Sequence, residues 1–178
     1  MYGVTSMISD LDITEQILIT ILKYYSKFED FPNRKALSTV IYILDKMIGV
    51  DSLDEAVVRV YPDGFEITEV NSAIEYLALR GLIDSGKGYV KLTENGFQIA
   101  KNLITEEKNN DFLRFLDTIF KYPRKTVFHV ALILYSKENL EYLTDEQDLF
   151  NLAKDLIKIS KKSEKIWAKV KLPLNEVD

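Results

Sequence analysis

The stretch that decides the fold of this 178-residue chain spans residues 74–96 and reads IEYLALRGLIDSGKGYVKLTENG. Its first part predicts the end of a helix, because apolar residues recur at helical spacing until Gly81 stops the pattern. Two short extended segments follow, and the turn at 85–88 between them has the length and chemistry of a β-hairpin tip. Thr93 then caps a further helix, and Gly96 lets that helix pack closely on the hairpin. The predicted order is therefore helix, hairpin, helix.

Two helices are predicted before this stretch, at about residues 13–28 and 34–48. Asp12 or Thr14 can cap the first helix, and Pro32 interrupts the chain between the two because proline cannot continue a helix. Together with the helix that ends at Gly81, these segments predict a domain that begins with helices and closes with a hairpin.

The segment between the second and third helices is only partly determined by its sequence. Residues 51–60 fit either a short helix or a partly extended chain. Residues 61–64 predict a turn, since proline presets one backbone dihedral and glycine supplies the left-handed one. A third helix is predicted from Thr68 to about Arg80. Its spacing places four apolar residues on the inward face, namely Val70, Ala73, Ile74 and Leu77.

Two short strings resemble the winged-helix family. The string IEYLALRGLI at 74–83 resembles the end of that family's third helix, where a glycine-leucine-isoleucine run enters the wing. The string YVKLTENG at 89–96 is similar to the second wing strand and the start of the next helix. The resemblance covers residues 12–104 and implies a winged helix-turn-helix, mainly α with a small β-hairpin wing. Residues 105–178 are expected to form a helical C-terminal extension, with helices near 112–120, near 126–135 and from about 145.

A narrower likeness concerns residues 36–104, whose order of elements is similar to that of Panacea-type antitoxin domains. The turn at 61–64 departs from that family, because it reads proline-aspartate-glycine where the family has a glycine-proline pair before the third helix. Winged helices serve both as DNA-binding domains and as protein-interaction modules, so the resemblance implies fold more strongly than function.

Composition excludes several kinds of active site. The chain has no Cys, which excludes disulfides, thiolate zinc sites, iron–sulfur clusters and cysteine nucleophiles. Its single His, His129, lies in an apolar run and is expected to be a buried core residue rather than a catalytic base. No enzyme, metal site or cofactor is therefore expected.

Charge is distributed unevenly along the chain. Residues 1–105 hold 15 acidic and 10 basic residues, net −5, whereas residues 154–171 hold seven lysines against two acidic residues. Acidic residues interrupt the N-terminal apolar run, and no uncharged apolar stretch is long enough to span a bilayer. A cytoplasmic protein with no membrane partner is expected.

The resemblance implies that the third helix enters the major groove of double-stranded DNA while the wing touches the backbone. Three acidic residues, Glu66, Glu69 and Glu75, oppose this because they repel phosphate. A solvated hairpin and a solvated amphipathic tail helix are alternatives to phosphate contacts at the wing and in the tail. The candidate nucleic-acid residues are Asn71, Ser72 and Arg80 on the helix, Lys87 and Lys91 on the wing, and Lys161, Lys162 and Lys165 in the tail.

Two apolar sets predict contacts with protein. Tyr76 and Leu79 lie on the outward face of the third helix, where a partner chain or a C-terminal helix can cover them. Phe112, Leu116 and Phe120 carry apolar surface for a homodimer. The favoured function is a non-enzymatic, DNA-binding, transcription-regulator-like homodimer. The alternative is a winged-helix protein-interaction module, either antitoxin-like or a subunit of a larger assembly.

Overall fold

The computed structural model describes residues 7, 10–28, 31–48, 53, 56–106, 110–135 and 146–159. The chain forms two compact units. Unit 1 consists of Met1–Ile41 and Asp51–Lys108, and unit 2 consists of Tyr42–Val50 and Asn109–Asp178. The sequence predicts a single boundary at residue 105, so it does not predict that Tyr42–Val50 belongs to the second unit.

The described residues are mainly helical, with two small antiparallel hairpins. In chain order the elements are α1 (Ile13–Ser26), α2 (Arg34–Ile48), β1 (Val58–Tyr61), β2 (Gly64–Ile67), α3 (Thr68–Leu79), β3 (Ile83–Gly86), β4 (Tyr89–Leu92), α4 (Glu94–Glu106), α5 (Asn110–Ile119), α6 (Arg124–Tyr135) and α7 (Glu146–Ile159).

Side-chain caps explain where α1 and α2 begin. The Asp12 carboxylate accepts from the backbone N–H of Glu15 at 2.8 Å, and the Glu15 carboxylate accepts from the backbone N–H of Asp12 at 3.0 Å. This reciprocal pair satisfies two donors that a helix start leaves unbonded. Asn33 caps α2 by accepting from the backbone N–H of Ala36 at 2.7 Å. Both predicted helices are confirmed, and α1 ends two residues earlier than expected.

The hairpin of β1 and β2 resolves the undecided segment before α3. Val58 pairs with Ile67 and Tyr61 pairs with Gly64, which confirms the predicted turn between them and shows that the end of the segment is extended. Gly64 has φ +150, and a Cβ at this residue would lie 2.9 Å from Lys35 Cβ. Only glycine therefore lets the hairpin approach the first turn of α2 so closely.

The hairpin of β3 and β4 follows α3 as the sequence predicts. Gly81 turns the chain with φ +72, and Ile83 pairs with Leu92 at the open end of the hairpin. The Thr93 hydroxyl donates to the carbonyl of Gly81 and accepts from the N–H of Gly96, which closes the hairpin onto the next helix. That helix begins at Glu94, directly after Thr93, which acts as its cap as predicted.

The core of unit 1 lies under α3. The four residues predicted to face inward on α3 are all buried, which confirms the predicted face. Other buried side chains of unit 1 come from α1, α2, the two hairpins, the residue before β3 and α4, including Leu18, Leu37, Phe65, Leu82, Val90 and Ile99. This packing leaves the opposite face of α3 outside the core.

Unit 2 has its own core, formed by the inward faces of α5, α6 and α7. Its completely buried residues include Phe115 and Leu116 on α5, Val130 on α6, and Leu152 and Leu156 on α7. Among the residues that the structure describes, none of the helices combines the length and apolar character needed to cross a membrane.

Candidate nucleic-acid interface

The outward face of α3 has a polar half and an apolar half. Thr68, Ser72 and Glu75 are exposed along the first two turns. Tyr76 is 43% exposed and Leu79 is 87% exposed near the C-terminal end. Since a recognition helix contacts bases with its N-terminal residues, the polar half is the part that suits a DNA groove.

Arg34 joins this face to the hairpin of β3 and β4. Its Nη2 donates to Glu75 Oε1 at 2.5 Å and to Ser85 Oγ at 3.1 Å. The side chains of Arg34 and Glu75 are 38% and 63% exposed, so the pair contributes little to stability. Its main effect is to offset the negative charge of Glu75 on the face and to link α2, α3 and β3.

A polar groove of about 330 Å³ lies beside the first turns of α3. Arg59 and Glu66 stand directly opposite each other on β1 and β2. The Oδ1 atom of Asn71 is buried and has no hydrogen-bond partner among the described residues. Because this oxygen is closed off from solvent, it could reach a base amino group only if the side chain turned outward. The charged and amide side chains that line the groove are Arg34, Arg59, Glu66, Asn71 and Glu75.

The hairpin presents its two candidate lysines differently. Lys87 is exposed at the tip, beside Gly88, whose φ is +81. The Lys91 Nζ lies 3.8 Å from Asp84 Oδ2. It is also near two aromatic rings, 5.7 Å from the centroid of Phe31 and 5.4 Å from that of Tyr89. Lys87 is therefore directly available to a phosphate, whereas Lys91 must first give up part of its present contacts.

Arg80 is also engaged within the chain. Its Nη1 donates to the Tyr76 hydroxyl at 3.4 Å, and its guanidinium lies 5.5 Å from the centroid of that ring. Burial raises the pKa of Glu15, and the nearby positive charge of Arg80 partly counteracts that rise. A phosphate contact by Arg80 would compete with these interactions.

The structure places Asn71 and Ser72 on α3 and Arg80 directly after its last residue. Lys87 and Lys91 lie on the adjoining hairpin. The tail lysines Lys161, Lys162 and Lys165 lie outside the described residues, as does the side chain of Phe112. The expectation for Leu116 is corrected, because its side chain is completely buried in unit 2 and offers no surface to a partner. Phe120 is partly exposed.

The described residues contain no cluster of three histidine or acidic side chains that could hold a metal ion. His129 is buried, as predicted, and burial lowers its pKa.

Sequence reasoning missed Arg34 and Arg59. The alternation of residues 58–61 and 64–67 around a proline-aspartate-glycine turn was a usable signal for the hairpin that carries Arg59. Comparisons with protein-family models, with curated proteins and with solved structures found no match to this chain.

Proposed function

We propose that residues 12–104 form a winged-helix domain that binds double-stranded DNA in a non-enzymatic, regulatory role. In this proposal α3 lies in the major groove and the hairpin of β3 and β4 acts as the wing on the DNA backbone. The observation that carries the proposal is the link made by Arg34, which holds the polar half of α3 and the hairpin together as one surface.

Three further features support this role. The segment before α2 pairs with the hairpin, since the backbone N–H of Val90 donates to the carbonyl of Pro32 at 2.8 Å, and this steadies the wing. Ser72 is exposed on α3, so its hydroxyl suits a contact with a base edge. The exposed Lys87 at the tip suits a phosphate.

A protein-interaction module is the second candidate. It is favoured by Leu79, which is 87% exposed at the end of α3 beside the exposed ring of Tyr76. Isolated exposed apolar residues are ordinary on protein surfaces, but a neighbouring leucine and tyrosine on one helix face suit a partner protein.

The experiment is a fluorescence-anisotropy titration of the full chain with duplex DNA of mixed sequence at several salt concentrations. The variants are Lys87→Ala and Lys91→Ala, with Lys121→Ala/Lys125→Ala as a control pair that removes exposed positive charge from unit 2. Each lost phosphate contact lowers the log–log salt slope by about 0.9. Lys87→Ala should show this full decrease, and Lys91→Ala a smaller one because Asp84 already engages that lysine.

Exchanges on α3 test the second half of the proposal. Asn71→Ala and Ser72→Ala should change the preference among duplex sequences selected from a random pool, with little change in the salt slope. A wild-type chain that binds no duplex at low salt overturns DNA binding. The interaction-module function then takes its place, with Tyr76→Ala and Leu79→Ser as the next variants.

A further inference from the structure

The hairpin of β1 and β2 carries an arginine beside the polar half of α3. Arg59 lies on β1, is exposed, and lines the groove of about 330 Å³ together with Thr68 and Ser72. Val57 lines the same groove, because residues two positions apart in an extended chain share one face. Arg59 therefore belongs to the surface that the proposed function sets against DNA.

The other two arginines of unit 1 are engaged within the chain, whereas Arg59 is not. Arg34 pairs with Glu75. Arg80 donates to the Tyr76 hydroxyl. Among the described residues, neither a hydrogen bond nor an ion pair engages the Arg59 guanidinium. A phosphate therefore gains a full positive charge at Arg59 without first displacing a partner.

Glu66 is the acidic residue that faces Arg59, since the two stand directly opposite each other across the hairpin. Side chains in such a pair lie on one face of a sheet and attract when their charges are opposite. Within the described part of the chain, however, the two form no ion pair. Glu66 therefore reduces the net charge near Arg59 but leaves the hydrogen-bond donors of its guanidinium available.

The hairpin is fixed to two helices, which holds Arg59 in place beside α3. The N–H and the hydroxyl of Thr68, the first residue of α3, both donate to the carbonyl of Val57, each at 3.2 Å. On the side of α2, the N–H of Phe65 donates to the Thr39 hydroxyl at 3.1 Å. A contact made from an anchored backbone costs less conformational entropy than one made from a loose loop.

The two hairpins of unit 1 join opposite ends of α3. β2 ends at Ile67, directly before the helix, and β3 begins at Ile83, after the helix has ended. With 12 residues, α3 is about 18 Å long at 1.5 Å per residue. The major groove is about 12 Å wide and has a phosphate backbone on each side. A helix in that groove therefore brings its two ends toward different stretches of backbone.

We propose that Arg59 binds a DNA phosphate at the N-terminal end of α3, while Lys87 on the wing binds another at the C-terminal end. This inference rests on the proposed function and adds to it a second hairpin that holds the DNA backbone. A guanidinium donates two parallel hydrogen bonds to a phosphate. Because every base pair carries the same phosphates, Arg59 contributes affinity and orientation rather than base preference.

The test is a fluorescence-anisotropy titration of the full chain with duplex DNA of mixed sequence at several salt concentrations. Arg59→Gln removes the charge, Arg59→Lys retains it, and Lys125→Ala is the matched control that removes one exposed charge from unit 2. Arg59→Gln should lower the log–log salt slope by about 0.9, which weakens binding roughly eightfold at about 0.1 M salt relative to 1 M. Arg59→Lys and Lys125→Ala should retain the wild-type slope.

A double variant tests whether the two hairpins hold separate phosphates. Arg59→Gln/Lys87→Ala should lower the salt slope by about 1.8, twice the single decrease, because contacts at opposite ends of α3 act independently. Arg59→Gln should also leave the order of preference among duplexes of different sequence unchanged. Thermal unfolding shows whether each variant is folded, and Arg59→Ala replaces Arg59→Gln if the latter is not.

Three results overturn the inference, and they differ in what they say of the proposed function. A wild type that binds duplex DNA, with an unchanged slope in Arg59→Gln, removes Arg59 from the interface and leaves the proposed function standing. A changed order of preference among duplexes in Arg59→Gln shows that Arg59 reads a base instead of a phosphate. A wild type that binds no duplex at low salt overturns the inference and the proposed function together.

Discussion

Replacing Gly96 with alanine tests the contact that sets the hairpin of β3 and β4 against α4. A Cβ at Gly96 would lie 2.0 Å from the carbonyl oxygen of Leu82, where real Cβ contacts essentially never come below 3.0 Å. The backbone must therefore move by about 1 Å, the difference between these two distances. The same carbonyl accepts from the N–H of Thr93 at 3.1 Å, so the movement also strains the bond that closes the hairpin.

The expected loss of stability follows from two opposing effects. Overpacking of this kind costs about 1–3 kcal/mol, and alanine recovers up to about 1 kcal/mol over glycine inside a helix. The net decrease in the free energy of unfolding is then about 1–2 kcal/mol, by the same two principles. Urea unfolding followed by far-ultraviolet circular dichroism measures it.

Asn95→Ala is the matched control, since Asn95 is exposed and precedes Gly96 in the first turn of α4. It changes helix propensity without adding an atom beside Leu82, and it should leave stability unchanged or slightly higher. A Gly96→Ala chain as stable as the Asn95→Ala chain would refute the close approach of α4 to the hairpin.

Two further predictions concern single contacts, a third concerns an exposed side chain and a fourth concerns assembly. A double-mutant cycle of Arg34→Ala and Glu75→Ala should give a coupling energy of about 0.5 kcal/mol by urea unfolding, because both groups are partly exposed. Burial acts to raise the pKa of Asp155, but hydrogen bonds from Tyr122 and Lys158 outweigh that effect and lower the pKa. The ionised carboxylate therefore stabilises the fold at pH values above its usual pKa, and this contribution is lost as the pH falls through the lowered pKa. Tyr122→Phe should therefore weaken the acid dependence of stability and cost about 1 kcal/mol near neutral pH. Leu79→Ser should change the free energy of unfolding by less than about 0.5 kcal/mol, since the side chain is 87% exposed. The chain is expected to form a homodimer, so light scattering should return twice the monomer mass at tens of micromolar protein, roughly the concentration at which such interfaces hold.

Local patterns were sufficient to predict the regular elements around α3. The apolar spacing of Val70, Ala73, Ile74 and Leu77 identified the buried face, because helix geometry alone decides which residues share a side. Gly81 was sufficient to predict the helix end, since φ +72 disfavours other residues there. These features depend on residues close together in the chain.

The contacts that shape the candidate interface join residues far apart in the chain. Arg34 meets Glu75 and Ser85, which lie 41 and 51 residues further along. No local pattern indicates such a meeting, because it requires the hairpins to be packed against α2 first. The close approach of Gly64 to Lys35 is likewise a contact between residues far apart in the chain. The sequence alone does not show why glycine is needed there, because the need arises only when the hairpin packs against α2.

Contacts within the chain also change how strongly the charged side chains of this surface can interact with DNA. Counting charges in the sequence sets Glu75 against DNA binding and Lys91 and Arg80 in favour of it, each with equal weight. In the structure Arg34 offsets Glu75, Asp84 engages Lys91, and Tyr76 engages Arg80. Because phosphate must displace these partners before it gains a cation, the salt dependence of DNA binding should reflect fewer contacts than the sequence count of basic residues implies.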